Sequence, residues 1–175
     1  DWIHSPMKNY SYYEHTPIYT IKELLAFCAA KYGERIALKY SVRKQEKSVS
    51  FSEFKSQVEF FGTYLFSEGF RGKHIAVLGE NSYEWILTHF AVTCGGNVIV
   101  PIDKELDTGG IAELLTDSDS CALVYSDTYA DIAEELQAGL PDITYINMKN
   151  LSQCIEQGEH LCEDGYIEYV NMDIK

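Results

Sequence analysis

Residues 75–103 read IAVLGENSYEWILTHFAVTCGGNVIVPID, and this stretch decides the fold. An apolar run, Ile75–Leu78, leads into the turn Gly79–Ser82. A helical pattern follows and ends at Gly95-Gly96, just before a second apolar run. A buried strand that passes through a helix to another buried strand is a βαβ unit. Such units build parallel sheets, whose binding sites lie at the carboxyl ends of the strands.

The same alternation continues downstream at a nearly constant period. Helical patterns separate strands that are predicted to begin near His74, Val98, Cys121 and Ile143. The three patterns cover residues 82–94, 108–116 and 128–137. Crossovers of this length permit parallel connections. A leucine-rich repeat has a similar period, but its Leu-x-x-Leu-x-Leu pattern does not recur. The sequence therefore predicts an α/β fold: a layered, mostly parallel sheet with helices on both faces.

Upstream of this region, the sequence predicts two helices and a hairpin. Two capping-box sequences mark the helix starts: Thr20 with Glu23, and Ser50 with Glu53. Glycines end the helices, at Gly33 and Gly69. Between them, a strand at 36–40, a polar turn at 43–47 and a second strand at 48–51 predict a β-hairpin.

We divide the chain into three parts. Residues 1–19 are aromatic and irregular, and we expect an extended arm that lies on the domain, with a disordered tail as the alternative. Residues 20–150 form the α/β subdomain. Residues 151–175 are predicted to be an irregular acidic segment that leads to the remainder of a larger enzyme, apart from a short helix at 151–157.

Charge and hydropathy exclude several classes of function. The formal net charge of −13 opposes binding to nucleic acid, because the basic residues form no large cluster. No apolar run approaches the roughly 18 residues that a membrane span needs. No signal peptide opens the chain, and we therefore expect a cytoplasmic protein.

The cysteines and histidines show no metal-binding spacing. The five cysteines are Cys28, Cys94, Cys121, Cys154 and Cys162, and no two of them are spaced as in a zinc knuckle. We expect reduced, structural thiols and no metal ligand.

The turn Gly79–Ser82 is the strongest candidate for ligand binding, because a helix N-terminus there could accept an anion. The simpler reading is that Asn81 caps the helix, with Glu84 three residues later. Pro101 and Asp103 end a strand and start a turn. The carboxylate pairs at 117–119 and 134–135 lack an environment that would separate their pKa values. From the residues alone, we predict no catalytic, cofactor-binding or metal-binding residue.

Three blocks together resemble the adenylate-forming (AMP-binding) enzymes, which include acyl-CoA synthetases, luciferases and peptide-synthetase adenylation domains. Residues 49–54, VSFSEF, are similar to the Thr-Tyr-x-Glu-Leu block of that family. Residues 74–82, HIAVLGENS, are similar to its next strand and turn, in the form seen in long-chain fatty-acid CoA ligases. Residues 90–103, FAVTCGGNVIVPID, are similar to its Ala-Gly-x-x-x-x-Pro-x-Asp block. Order and spacing agree over residues 16–150.

The resemblance implies the N-terminal piece of an ATP-dependent carboxylate–CoA ligase. Such an enzyme joins a small carboxylate to ATP as an acyl-adenylate and then passes the acyl group to CoA. The resemblance implies ATP, Mg and CoA for the full-length enzyme and none of them for this piece alone. The family's phosphate loop, ribose-binding aspartate and catalytic lysine have no counterpart here, so we expect this piece to be inactive. Its partners would be the remainder of its own chain and, through exposed apolar surface, a second copy.

A non-catalytic α/β interaction or scaffold domain is the alternative from another class. A receiver-like domain would need acidic residues at several strand ends, and only Asp103 and Asp127 lie near such positions. A Rossmann dehydrogenase would need the Gly-x-Gly-x-x-Gly fingerprint, which is absent.

Overall fold

The computed structural model describes residues 16–174. The helices are α1 (Ile21–Tyr32), α2 (Phe51–Ser67), α3 (Tyr83–Thr93), α4 (Thr108–Asp117), α5 (Ala130–Gly139), α6 (Leu151–Glu163) and α7 (Glu168–Asn171). The strands are β1 (Ile36–Val42), β2 (Gln45–Ser50), β3 (His74–Leu78), β4 (Val98–Pro101), β5 (Ser120–Tyr125) and β6 (Thr144–Asn147). Single turns of 3-10 helix, Asp127–Tyr129 and Met148–Asn150, precede α5 and α6.

Four strands form a parallel sheet in the order β4-β3-β5-β6, which confirms the predicted fold class. Ile75 of β3 lies opposite Ile99 of β4 on one side and Ala122 of β5 on the other. Strands β1 and β2 form a separate antiparallel hairpin. Its turn consists of Arg43 and Lys44, which both have positive φ, at 49° and 66°. Positive φ at both turn residues is typical of two-residue hairpin connections.

Side chains of the parallel sheet alternate between two separate cores. Ile75 and Val77 of β3 pack into the larger core with α1, α2, α3, α6 and α7. Ala76 and Leu78 pack into the smaller core with α4 and α5. Successive residues of a strand point to opposite faces. The sheet is therefore covered on both faces, as predicted.

The predicted helix starts are confirmed at two positions and wrong at a third. Both capping boxes form: the Thr20 and Ser50 side chains each accept a hydrogen bond from the backbone N–H three residues later. Helix α3 is capped by Ser82 rather than Asn81. The Ser82 hydroxyl accepts from the Trp85 backbone N–H at 3.1 Å. Both residue types are good N-caps, and local sequence did not distinguish them.

The ends of the chain differ from the sequence-based division. Residues 1–15 of the proposed aromatic arm lie outside the described residues. At its end, Tyr19 is 84% exposed and therefore is not packed on the domain. Residues 151–175 were predicted to be irregular apart from a short helix at 151–157. The structure has a helix there, α6, which is longer and extends to Glu163, and it adds the short helix α7. The outer face of α6 is polar, and only three of its residues are buried.

Tyr169 anchors the last helix in the larger core. Its side chain is 1% exposed, and its hydroxyl donates to the Ala91 carbonyl oxygen at 2.9 Å. The ring lies against Gly62 and Gly95, where any added Cβ would collide with it. Lys22 of α1 donates to the carbonyl oxygens of Tyr169 and Met172, both at 2.8 Å. Three helices thus hold α7 in place.

Gly158 provides a direct test of the contact between α6 and α2. A Cβ on Gly158 would collide with the backbone carbonyl oxygen of Phe60 in α2, which cannot move without shifting that helix. We expect Gly158→Ala to lower the free energy of unfolding by about 3 kcal/mol or more, as overpacked cores do.

Gly139→Ala is the matched control, because an added Cβ there meets no atom within 4 Å. We expect that variant to be neutral or about 0.5 kcal/mol more stable, since alanine is the better helix former. Urea unfolding followed by circular dichroism measures both variants. Equal stability of the two would contradict the close helix crossing.

Candidate functional site

The topological switch point of the sheet lies between β3 and β5. From β3 the chain crosses to β4 on one side and then returns to β5 on the other. In open α/β sheets, ligands bind in the crevice beyond the carboxyl ends of the strands at this point. The residues that follow β3 and β5 are Gly79, Glu80, Ser126 and Asp127, and they define the candidate site.

Hydrogen bonds join these strand ends directly. The Ser126 hydroxyl donates to a Glu80 carboxylate oxygen at 2.7 Å, and the Thr128 hydroxyl lies 3.4 Å from the other oxygen. The bond from Ser126 is the main reason that the pKa of the Glu80 carboxyl lies below its usual range. Glu80 is therefore an ionised carboxylate at neutral pH, and its oxygens are engaged by hydroxyl groups of the same chain.

A second pair of contacts joins β5 to β6. Lys149 Nζ and Asn147 Nδ2 both donate to Asp127 Oδ1 at 2.8 Å. The bond from Lys149 is the main cause of a lowered pKa at the Asp127 carboxyl, and the same contact raises the pKa of Lys149. Both side chains are more than half exposed, so the pair contributes little to stability. The ion pair keeps the Lys149 ammonium group occupied, whereas Lys104 is a second cation near Glu80 and helps to lower the pKa of its carboxyl.

A cleft lies beside the switch point, between the hairpin and the start of α3. Its volume is about 470 Å³, and its walls are Leu38–Val42 of β1 together with Glu80–Glu84 and Ile86. Tyr40 and Tyr83 stack at its base, with ring centroids 4.7 Å apart. The Tyr83 hydroxyl donates to Gln57 Oε1 at 2.8 Å, and burial raises the pKa of that hydroxyl. The cleft is thus lined by a neutral aromatic pair and by side chains of both charges, Glu80, Glu84 and Lys39.

The other residues considered from the sequence stay apart from this site. Asp103 is exposed, and its carboxylate accepts from the Glu105 backbone N–H in a turn. The carboxylate pairs at 117–119 and 134–135 are exposed to solvent. Within residues 16–174, no three His, Cys, Asp or Glu side chains are grouped so that they could hold a metal ion.

Sequence analysis missed the hydrogen bonds to Glu80 and Asp127. Their donors are Ser126, Thr128, Asn147 and Lys149. Each donor lies at or just after the end of β5 or β6, and that position was the one available signal. A pattern in one strand does not show which side chains from the next strand will reach it. The pairing order of the strands was needed for that.

Residues 25–168 match the sequence pattern of a protein family described as AMP-binding enzyme. The chain belongs to this family. The match extends beyond the three blocks that suggested it and includes α6 and the first residue of α7. The resemblance stated from the sequence is therefore confirmed.

Two relatives carry the names of CoA ligases. A Bacillus subtilis protein named as acyl-CoA synthetase YngI is 30% identical over 111 residues, which are 63% of this chain and 20% of that protein. A Rhodococcus jostii 3-[(3aS,4S,7aS)-7a-methyl-1,5-dioxo-octahydro-1H-inden-4-yl]propanoyl:CoA ligase is 26% identical over 123 residues, which are 66% of this chain and 23% of that enzyme. This chain thus spans less than a quarter of either relative.

The fold agrees with that of a solved protein domain. The inhibitor-bound N-terminal domain of FACL13 from Mycobacterium tuberculosis superposes with a TM-score of 0.71 at 19% sequence identity. The superposition covers 79% of this chain and 36% of that domain. At this identity the similarity shows the fold, and it carries no residue role to this chain.

ATP is the cofactor that an AMP-binding enzyme implies, and the candidate site does not fit its triphosphate. Glu80 and Asp127 place two carboxylates at the switch point, and they would repel a polyanion. Lys149 is a cation beside them, and it already forms an ion pair with Asp127. Phosphate binding needs free cations or N–H groups. At the switch point the polar side chains bond mainly to one another and do not form a phosphate cradle.

Two further observations concern the described residues. Across residues 16–174, no helix combines the length and apolar composition needed to cross a lipid bilayer. Burial raises the pKa of the Cys94 thiol to about 12 and also raises the pKa of Cys154 and of the partly buried Cys121, which makes these thiols poor nucleophiles.

The raised pKa of Cys94 predicts a loss of stability in alkali. The folded state favours the protonated thiol, so its stabilising effect is complete below the unfolded pKa of 9.0 and disappears as pH rises toward about 12. Within that window, each rise of one pH unit lowers the free energy of unfolding by up to about 1.4 kcal/mol through this one group.

Unfolding by urea at pH 7, 9 and 10.5 measures this loss. We expect Cys94→Ala to be less stable than the parent chain at pH 7, because it leaves a small cavity. The difference between the two chains should shrink as pH rises. A constant difference would contradict the assignment.

Proposed function

We propose that this chain is the N-terminal piece of an ATP-dependent carboxylate–CoA ligase. The family match over residues 25–168 carries the proposal, and the names of the two relatives support it. The complete enzyme would join a small-molecule carboxylate to ATP as an acyl-adenylate and transfer the acyl group to CoA. The fatty-acid ligases within this family are the best match to the turn Gly79–Ser82.

Within that enzyme, we assign this chain a structural part. Its strand-end carboxylates are bonded to their own neighbours, and the cleft near Tyr40 is lined by Lys39 as well as by Glu80 and Glu84. ATP, Mg and CoA would bind to the remainder of the ligase, and that remainder is also the main binding partner that we propose for this chain. We place the protein in the cytoplasm, in keeping with its composition.

The alternative of a non-catalytic interaction domain has less support. A receiver-like domain would need its strand-end acidic groups free and directed into one pocket. Here Asp127 is paired with Lys149, and Asp103 is held in a turn after β4. No specific contact among the described residues favours that function.

Carboxylate-dependent exchange of pyrophosphate into ATP tests the proposal. We expect background exchange from the 175-residue chain with a range of fatty and aryl acids. Adenylation requires groups that stabilise charge developing at the α-phosphate, and the described site lacks them. We expect robust exchange from a protein in which this chain continues into the remainder of the ligase. Absence of exchange from that longer protein would reject the proposed function.

Calorimetric titration with Mg-ATP separates binding from turnover. We expect no micromolar binding to the 175-residue chain. If heat of binding were observed, its loss in Ser82→Ala would place the binding site at the start of α3. Ser82 caps that helix, which begins at the turn that we considered for an anion. Asp107→Ala, which removes the equivalent cap of α4, is the matched control. Robust exchange by the short chain would mean that residues assigned here to structure form an active site.

A further inference from the structure

An apolar groove runs along α1, away from the switch point. Its walls come from α1, β1, α2 and α3 and include Leu24, Cys28, Leu38, Phe54, Ile86 and Phe90. Its volume is about 210 Å³. Small-molecule pockets usually measure 300–1,000 Å³, so this groove has the size of one or two large side chains. We call it the α1 groove.

The surface around the α1 groove is incompletely covered. Leu25 is the one buried residue of α1, whereas Leu24 and Ile21 are 42% and 39% exposed. Tyr19, just before the helix, is 84% exposed. A continuous apolar strip therefore runs from the start of α1 into the groove. Contiguous exposed apolar surface is typical of a binding surface.

We propose that residues 1–15 of this chain bind in the α1 groove. Six of these fifteen residues are large and apolar or aromatic: Trp2, Ile3, Met7, Tyr10, Tyr12 and Tyr13. Aromatic side chains supply a large contact area for each residue fixed. The occupant is thus a segment of the same chain.

Covalent attachment favours this occupant over a second copy. The segment joins α1 through residues 16–19, and Leu24 lies on the second turn of that helix. Fifteen residues reach at most about 50 Å when extended, which is ample for the distance along one helix. Short tethers give effective concentrations in the millimolar range. A stable dimer needs about 1,200 Å² of interface, whereas the α1 groove takes only one or two side chains.

Charge also favours the segment. Residues 1–15 contain Asp1, Glu14 and Lys8, a net charge of −1, in a chain whose total is −13. The remainder carries −12 and repels acidic partners. A nearly neutral aromatic segment can approach it. The backbone N–H groups of Tyr19 and Thr20 both donate to the Glu23 carboxylate. These hydrogen bonds fix the direction in which the preceding segment joins α1.

Cys28 offers a probe inside the α1 groove. Its thiol is partly exposed in residues 16–174 and would be covered by an occupant. Labelling with a maleimide, followed by mass spectrometry of peptides, gives the rate at each cysteine. We expect Cys28 to react about tenfold more slowly in the full chain than in a chain that begins at Thr16, because labelling then requires local opening. Cys162, which is partly exposed and lies beside Thr63, is the internal control and should react equally in both.

A full-length variant tests the same contact without truncation, so that misfolding of the shorter chain cannot explain the result. Replacing Trp2, Tyr10, Tyr12 and Tyr13 with serine should raise the Cys28 rate to that of the truncated chain. Ser5→Ala with Asn9→Ala, in the same segment, should leave it unchanged. Equal Cys28 rates in the full and truncated chains would overturn the proposal. So would protection that survives the serine replacements, or protection that increases with protein concentration, which would indicate a second copy.

Discussion

The burial of β3 on both faces is the constraint on which the rest of the structure depends. Four of its five residues, Ile75–Leu78, have no exposed surface. A strand in this position must have a neighbour on each edge and a helical layer on each face. Parallel neighbours require long crossovers, and α3, α4 and α5 provide them. The layered fold follows from one short apolar run, and so does the switch point at its carboxyl end.

The larger core adds a second constraint, which acts at the end of the described chain. Tyr169 occupies a slot that exists only because Gly62 and Gly95 lack side chains. Gly158 likewise lets α6 approach the backbone of α2. Glycine destabilises helix interiors by up to about 1 kcal/mol. The contacts that these glycines allow between distant segments offset this local cost. The same contacts attach residues 151–174 to the core formed by the earlier segments.

Local patterns predicted most of the fold, and tertiary contacts explain what they missed. The strand starts, the capping boxes at Thr20 and Ser50, and the parallel arrangement are confirmed because each rests on periodicity or a short-range hydrogen bond. A short helix was predicted at 151–157, but the extension of α6 to Glu163 was missed, since the close packing of Gly158 on α2 joins segments that lie far apart in the sequence. Gly95 was read as a helix stop, although its closest contact is the Tyr169 ring. Nothing near Gly95 in the sequence indicates that contact.

The candidate site was harder to predict because its contacts join separate crossovers. Glu80 follows β3 and Ser126 follows β5, 46 residues later, so only the strand order brings their side chains together. Hydroxyl groups or a lysine hold each carboxylate of this network, and Glu80 keeps its negative charge because hydroxyl groups do not neutralise it. The network fixes the relative position of the strand ends, and its acidic character opposes an anionic ligand. Under the proposed function, the cations that bind ATP would come from residues outside this network, and the strand ends described here would orient the segments that carry them.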